Sequence, residues 1–237
     1  MKILLSAPTS VHKDYCMKDW INWITSPDFS DVDIDILIVD NSPDPTYHFK
    51  IAKELGSKGT VLHIPYKKDR DLYHTIAESN EMIRNFFLAK DYDFLFFNES
   101  DQFVPKKSID YLLSLSLSVV GLPYFIKQHY GSLLISHHPI EAGYKRDVAI
   151  NTLNTSFIEF DGKIKPDRNT GLGALLIHKN VLSITDFTID EEMNLKENAW
   201  SDTYFQNRLE QKGFKIYQVK KYMSLHLNKD WSKLNKN

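Results

Sequence analysis

The stretch FLFFNESDQFVP, Phe94 to Pro105, decides how the chain is read. Its apolar and aromatic start, Phe94 to Phe97, is short and continuous, which suits a strand covered on both faces. The run then ends on two carboxylates, Glu99 and Asp101, one residue apart. Acids at i and i+2 on extended backbone point to the same side, and at a strand end they reach a common ligand. Such oxygen donors suit Mg2+ or Mn2+, hard cations that complete their shells with water and substrate phosphates. The same spacing also occurs in ordinary acidic turns, so the surrounding chain has to arbitrate.

Upstream, Thr75 to Ala89 reads as a long amphipathic helix feeding a strand at Asp93 to Phe97. Further back, DIDILIVDNSPDP becomes continuously apolar at Ile36 to Val39 and breaks at Asp40-Asn41-Ser42-Pro43, a second buried strand. Ile3 to Leu5 is a first strand closed by SAPTS. Tyr15 to Ile24 is a helix stopped by Ser26-Pro27, Tyr47 to Leu55 a helix ended at Gly56, and TVLHIPY a third strand. This alternation predicts an α/β fold with a mainly parallel central sheet flanked by crossover helices. In such sheets ligands bind beyond the carboxyl ends of the strands. Three polar clusters, Ser6 to Ser10, Asp40 to Ser42 and Asn98 to Asp101, are therefore expected along one edge.

Downstream the pattern loosens. Ser108 to Ser114 reads as a helix and Val119 to Tyr124 as a strand. Ile126 to Lys165 mixes short β-like pieces with turns, which predicts a smaller antiparallel part. Thr170 to His178 (TGLGALLIH) is a glycine-bearing loop entering a strand or helix, Ser201 to Lys212 a helix ended by Gly213, and FKIYQV a last strand. No linker divides the chain, so residues 1–237 are expected to form one domain.

Composition narrows the function. A chain of 237 residues with 42% hydrophobic content can bury a sizeable core, and a formal net charge of −2 gives no global drive toward nucleic acid or an anionic membrane. Local basic groups, Lys67, Lys68 and Arg70, and a tail with Lys220, Lys221, Lys229, Lys233 and Lys236, read as a solvated rim. The single cysteine, Cys16, forms no intramolecular disulfide and reads as a packed helix residue. ILLSAP is too short for a signal segment, and no apolar run approaches the ~20 residues of a membrane span. A cytoplasmic setting without an integral membrane segment is the expectation.

YDFLFFNESDQFVP resembles the segment of GT-A glycosyltransferases, especially the family 2-like ones, in which an apolar strand ends in an Asp-x-Asp motif followed by a proline. Here that motif is Glu99-Ser100-Asp101. The resemblance continues in chain order. ILLSAPTS is similar to the first strand and nucleotide-contacting loop, with Ala7, Pro8 and Thr9. ILIVDNSPDP is similar to the second strand, whose terminal acid, here Asp40 beside Asn41, contacts the nucleoside. RDLYHTIAESNEMIRNFFLAKDYDF resembles the preceding helix, with Arg70 and Asn80 toward the nucleotide. TGLGALLIHKNVL resembles the acceptor-side loop with Gly171 and Gly173. AWSDTYFQNRLEQKGFKIY resembles the segment supplying the catalytic base, and His226 in SLHLNKDW stands where many members place a late metal-binding histidine. Two positions depart from the pattern: Glu99 stands for the first aspartate, and Ser201 for the glutamate before Asp202.

The resemblance implies a Rossmann-like GT-A domain with a nucleotide-sugar half (1–104) and an acceptor half (105–237). It implies transfer of a sugar from a nucleoside diphosphate, a UDP-sugar, to an acceptor hydroxyl, with inversion. Mn2+ or Mg2+ is then held by Asp101 and His226, with Glu99 touching the ion directly or through water or holding the nucleotide with Ser100. Asp202 is the base, and Gly171, Gly173, Trp200 and Ser201 lie on the acceptor and sugar side. The acceptor is a glycan, a small molecule or a hydroxylated DNA base.

Plainer readings stand beside these. Asp202 suits a first-turn acid favourable to a helix dipole, His226 a hydrogen-bonded structural histidine, and the two glycines a turn. Trp200, Tyr130 and Tyr144 suit either stacking on a sugar or the core, and Lys165 and Arg168 a phosphate contact. His129, His137 and His138 lack acidic or cysteine partners at ligand spacing, which argues against a second metal site there. A sugar-phosphate nucleotidyltransferase would carry a glycine-rich basic loop after the first strand, and SAPTSVHKD has no glycine. A noncatalytic nucleotide or carbohydrate-binding module would need neither base nor metal.

Overall fold

The apolar runs of the sequence lie side by side at the centre of the molecule. The structure is a computed structural model and describes residues 1–65, 67, 68, 70–128, 131–134, 164–167, 171–190, 200–219, 222 and 224–227. In chain order its strands are β1 (Ile3–Thr9), β2 (Ile34–Asp40), β3 (Gly59–His63), β4 (Phe94–Asn98), β5 (Gln102–Phe103), β6 (Val119–Gly121), β7 (Phe125–Gln128), β8 (Gly131–Leu134), β9 (Ile164–Asp167), β10 (Ala174–His178), β11 (Ile216–Val219) and β12 (Leu225–His226). The helices are α1 (Asp14–Ile24), α2 (Tyr47–Leu55), α3 (Leu72–Leu88), α4 (Ser108–Ser114), α5 (Lys179–Leu182) and α6 (Ser201–Gln211).

Eight strands form one sheet in the order β3-β2-β1-β4-β10-β6-β11-β9. Pairings β1–β2, β2–β3, β1–β4 and β6–β11 are parallel; β10 runs antiparallel to both β4 and β6, and β9 antiparallel to β11. Mainly parallel order with flanking helices agrees with the expectation from sequence. The expected antiparallel part appears as the β7–β8 ribbon. A two-residue ribbon, β5 with β12, pairs His226 with Gln102.

Strand periodicity explains why the runs are apolar without interruption. Ile3, Leu5, Ile36, Ile38, Phe96 and Leu176 pack on one face with Trp20 and Ile21 of α1 and Ile51 of α2. Leu4, Leu37, Val39, Leu95, Phe97 and Leu175 pack on the other with Ile83 and Phe87 of α3 and Phe205 of α6. The central runs of β1, β2, β4 and β10 have a core on both sides, which favours apolar residues at both alternating positions.

Several boundaries differ from the sequence reading for local reasons. β1 runs on through Ser6-Ala7-Pro8-Thr9, which the sequence suggests as a turn, because β2 extends equally far and pairs through Thr9↔Asp40. The pairing of β1 with β4 stops at Ser6↔Phe97, so Pro8 lies beyond its reach on that side. α3 begins at Leu72 rather than Thr75, because Asp71 caps it by accepting from the His74 amide at 2.8 Å. After the glycine loop the chain enters a strand, β10, before the short α5. His129, Tyr130, His137, His138, Tyr144, Arg168 and the tail lysines Lys220, Lys221, Lys229, Lys233 and Lys236 lie outside the described residues. Among the described residues, no helix is long and apolar enough to cross a membrane.

Candidate active site

β1, β2 and β4 run parallel and end at Thr9, Asp40 and Asn98, which brings the three polar clusters to one edge. Asn98 locks this edge together. Its side chain accepts from Trp20 Nε1 at 3.2 Å and donates to the Gln102 and Gly173 carbonyls, each at 3.2 Å. Thr9 and Ser100 share a hydroxyl contact of 3.0 Å, and the Glu99 amide donates to the Gly173 carbonyl at 3.1 Å. The turn carrying both acids is therefore held by β1, by Gly173 just before β10 and by its own backbone.

Asp101 is buried, with a side chain 1% exposed. Lys13 Nζ lies 2.9 Å from its Oδ1 and 3.6 Å from Glu99 Oε2. On the other side Asp101 Oδ2 is buried without a hydrogen-bond partner, and His226 Nε2 stands 3.4 Å from it. His226 is set there by its ribbon pairing with Gln102, by Leu227 N donating to the Asp101 carbonyl at 2.8 Å, and by the edge of the Tyr124 ring, 5.6 Å between centroids. Burial on its own would push the Asp101 carboxyl up. The charges of Lys13 and His226 outweigh it and hold the group well below the usual carboxylate range. Burial likewise disfavours the Lys13 ammonium, but the adjoining Asp101 and Glu99 charges raise it above an ordinary lysine.

Oxygen and nitrogen atoms of Glu99, Asp101 and His226 lie within 4.8 Å of one another. Two carboxylates and an imidazole make a donor set suited to a divalent ion, and the buried Asp101 Oδ2 accepts no hydrogen bond that would compete with one. The residues present fit such an ion, which Asp101, His226 and Glu99 could hold.

Asp202 sits in the first turn of α6 and accepts from the Thr203 amide at 2.8 Å. Burial is the main reason its carboxyl is pushed up to about 6; the Thr203 bond opposes that shift and the negative charge of Glu99 adds to it. The Tyr124 hydroxyl is raised well above its ordinary value by burial and then by Glu99 and Asp202. Glu99, Asp101, Asp202 and Tyr124 thus share one electrostatic neighbourhood.

Gly173 must be glycine: a Cβ there would stand 2.6 Å from the Tyr124 ring. Its amide faces the Tyr124 hydroxyl at 3.3 Å, so the close approach is also a contact. Gly171 adopts a φ of 58°, a left-handed conformation that favours glycine.

No family model matches the chain, and no curated protein matches it. Among solved structures, S. aureus TarS superposes with a TM-score of 0.53 at 12% identity, covering 99% of this chain and 38% of that one. S. aureus TarS 1-349 in complex with UDP gives 0.55 at 14%, covering 99% and 62%. A mycobacterial protein gives 0.54 at 13%, covering 98% and 69%. The chain has a GT-A-like fold. It spans 38% of that TarS chain and somewhat less than two thirds of the UDP-bound TarS 1-349 chain.

Within this GT-A-like fold the residues expected from sequence occupy distinct settings. Ala7 belongs to the core, Pro8 is half-buried, and Thr9 is buried against Ser100. Asp40 is fully buried: its Oδ1 accepts from the Ser42 amide at 3.0 Å and hydroxyl at 2.5 Å, and its Oδ2 meets His63 Nδ1 at 2.8 Å. Asn41 donates to Ser79 at 3.0 Å. Arg70 pairs with Glu78, which also lies 3.5 Å from Lys67 Nζ, so two of the three basic residues of that loop are balanced by one acid. Asn80 donates to the Ser201 hydroxyl at 2.9 Å, both buried, which ties α3 to α6. Trp200 is exposed and packs on Tyr73 with ring centroids 4.3 Å apart. Cys16 is buried, its thiol pushed up to about 12 mainly by burial and then by the charge of Asp101, which fits a packed residue.

Lys13, His63 and Tyr124 join the site without having been expected there. Lys13 had one weak sequence signal: it is a basic residue within one turn of the first strand. His63 becomes meaningful only through its strand register opposite Asp40.

Proposed function

We propose that the protein is a glycosyltransferase that moves a sugar from a nucleoside diphosphate sugar, a UDP-sugar, to an acceptor hydroxyl, with inversion at the anomeric carbon. Its two sides are the nucleotide-sugar half, 1–104, and the acceptor half, 105–237. The observation that carries this reading is the meeting of a buried carboxylate oxygen of Asp101 and His226, which can hold a divalent ion, with a second acid, Asp202, whose carboxyl is raised to about 6.

On the nucleotide side, Pro8 and Thr9 with Asn41 and the Glu99-Ser100 turn border the strand edge where the nucleoside binds. Asp40 acts there by fixing His63 and Ser42, both of which it engages directly. Arg70 and Asn80 reach the same nucleotide once their present partners, Glu78 and Ser201, yield. Asp101 and His226 hold Mn2+ or Mg2+, with Glu99 beside them; the ion, when bound, offsets the charge that develops on the departing diphosphate.

On the acceptor side Asp202 receives the proton of the attacking hydroxyl. A carboxyl raised to about 6 is ionised at neutral pH yet more basic than an ordinary aspartate, which suits a general base. Attack from the face opposite the diphosphate gives inversion. Gly171 and Gly173 shape the loop that brings Tyr124 to this corner, and Trp200 with Ser201 begins the helix that presents Asp202.

The test is turnover of a panel of UDP-sugars with glycan, small-molecule and hydroxymethylated-DNA acceptors, with Mn2+, with Mg2+ and with chelator. Transfer or slow donor hydrolysis above background that needs metal, and is lost in Asp101→Asn, is the expected result. Nucleotide binding without any turnover across the panel would instead support a noncatalytic binding module.

A further inference from the structure

Lys13 occupies a position that a simple metal site would leave to the ion. It belongs to the short 3-10 turn Val11–Lys13 that follows β1, and its ammonium reaches back between both acids of the opening motif, 2.9 Å from Asp101 and 3.6 Å from Glu99. Its backbone is fixed, the amide donating to the Ser10 carbonyl at 2.9 Å and the carbonyl accepting from the Cys16 thiol at 3.3 Å. The side chain is a flexible four-carbon stem with a 13% exposed outlet, so the head can leave while the turn stays.

The Lys13 ammonium serves two carboxylates, while Asp101 Oδ2 is buried, makes no hydrogen bond and faces only the His226 ring, 3.4 Å away. An ion engaging Asp101, Glu99 and His226 together must lie among ligand atoms that are all within 4.8 Å of one another. That places a double positive charge against an ammonium already bound to the same two acids, and in a buried site like charges so close exclude one another.

We propose that Lys13 is an internal counter-ion that competes with the divalent ion for Asp101 and Glu99: metal enters by displacing the ammonium, and the freed ammonium turns to the donor's diphosphate. The inference rests on the metal reading given above. Lys13 then sets the affinity of the metal-free protein for metal and couples metal entry to nucleotide binding, without touching the acceptor.

The experiment measures binding, not turnover. Mn2+ alone, then UDP in saturating Mn2+, is titrated by calorimetry into wild type, Lys13→Met and Lys13→Gln. Lys13→Gln keeps a hydrogen-bond donor for Asp101 while removing the charge, and serves if the methionine variant does not fold. Opposite changes are expected: Mn2+ binds at least about ten-fold tighter without the lysine charge, while UDP binds about ten-fold weaker once metal is present. A merely structural lysine would weaken both or neither. Unchanged Mn2+ affinity in both variants overturns the competition and leaves the metal reading standing. No Mn2+ binding in any form, with transfer that persists in chelator, overturns the metal reading and the competition with it.

Discussion

The carboxyl of Asp202 links stability to chemistry in a way that one substitution, Asp202→Asn, tests twice. Raised from 3.8 to about 6, the group binds its proton more tightly in the folded chain than in the unfolded one. Its contribution to stability is therefore fully present below pH 3.8 and is lost as pH rises through about 6. At 1.36 kcal/mol per pH unit, the two-unit difference sets an upper limit of about 3 kcal/mol. The residue keeps a partial solvent edge, so screening makes the measured value smaller. Asparagine does not titrate and retains an oxygen for the Thr203 amide. Urea unfolding of both proteins from pH 4 to 8 should show the variant gaining on wild type as pH rises, by roughly 1 to 3 kcal/mol, with the change centred between pH 4 and 6. In the same proteins kcat/KM of wild type should rise with unit slope to a plateau above about pH 6, and the variant should lose about 10²- to 10⁴-fold at the plateau with UDP binding intact. A stability difference that is flat across that range would refute the raised carboxyl. Near-normal turnover in the variant would refute its role as base.

Gly173→Ala places a Cβ 2.6 Å from the Tyr124 ring and should cost about 1 to 3 kcal/mol in urea unfolding, with weaker UDP binding because Glu99 hangs from the Gly173 carbonyl. Asp101→Asn removes the partner of a buried ammonium; a stability loss of about 3 to 5 kcal/mol is expected in metal-free protein, and no Mn2+-dependent rise in Tm. Cys16, buried and with its thiol pushed up to about 12, should resist a maleimide at pH 8 in the folded protein and react promptly in urea; rapid labelling of the native form would contradict the packing. Trp200→Ala should raise the acceptor KM about three- to ten-fold with unchanged donor KM and little change in Tm, since the ring is exposed and packs mainly on Tyr73.

The parallel half of the fold was legible because its signal is local. Runs such as Ile36–Val39 and Phe94–Phe97 are apolar at every position only when both sheet faces are covered, and each is followed by a polar break at the edge where ligands bind. The later strands are as apolar, but their order and direction are not local properties. β6 has only three residues, and β10, as long as β4, is inserted antiparallel between β4 and β6, a placement fixed by long-range pairing rather than by its own residues. The two-residue ribbon β5–β12 is shorter still, yet it is what delivers His226 to Asp101.

The acids of the site were legible because carboxylates after a buried strand are conspicuous; their counter-charges were not. Sequence places Lys13 and Asp101 88 residues apart, and the lysine's place just after the first strand is a weak mark that does not point to an acid. What singles it out is geometry: β1 ends beside β4, the Val11–Lys13 turn folds back over the strand end, and one ammonium meets two acids. Asp40 teaches the same point. As a strand-terminal acid it is conspicuous in the sequence, while its partners are not: His63 meets one oxygen through strand register and Ser42 the other. A buried carboxylate must be paired or hydrogen-bonded to remain ionised, so each acid that a sequence exhibits at a strand end implies a partner that it does not exhibit. For Asp40 that partner is already in place; for Asp101 it is shared, between a lysine that can leave and an ion that would take its position.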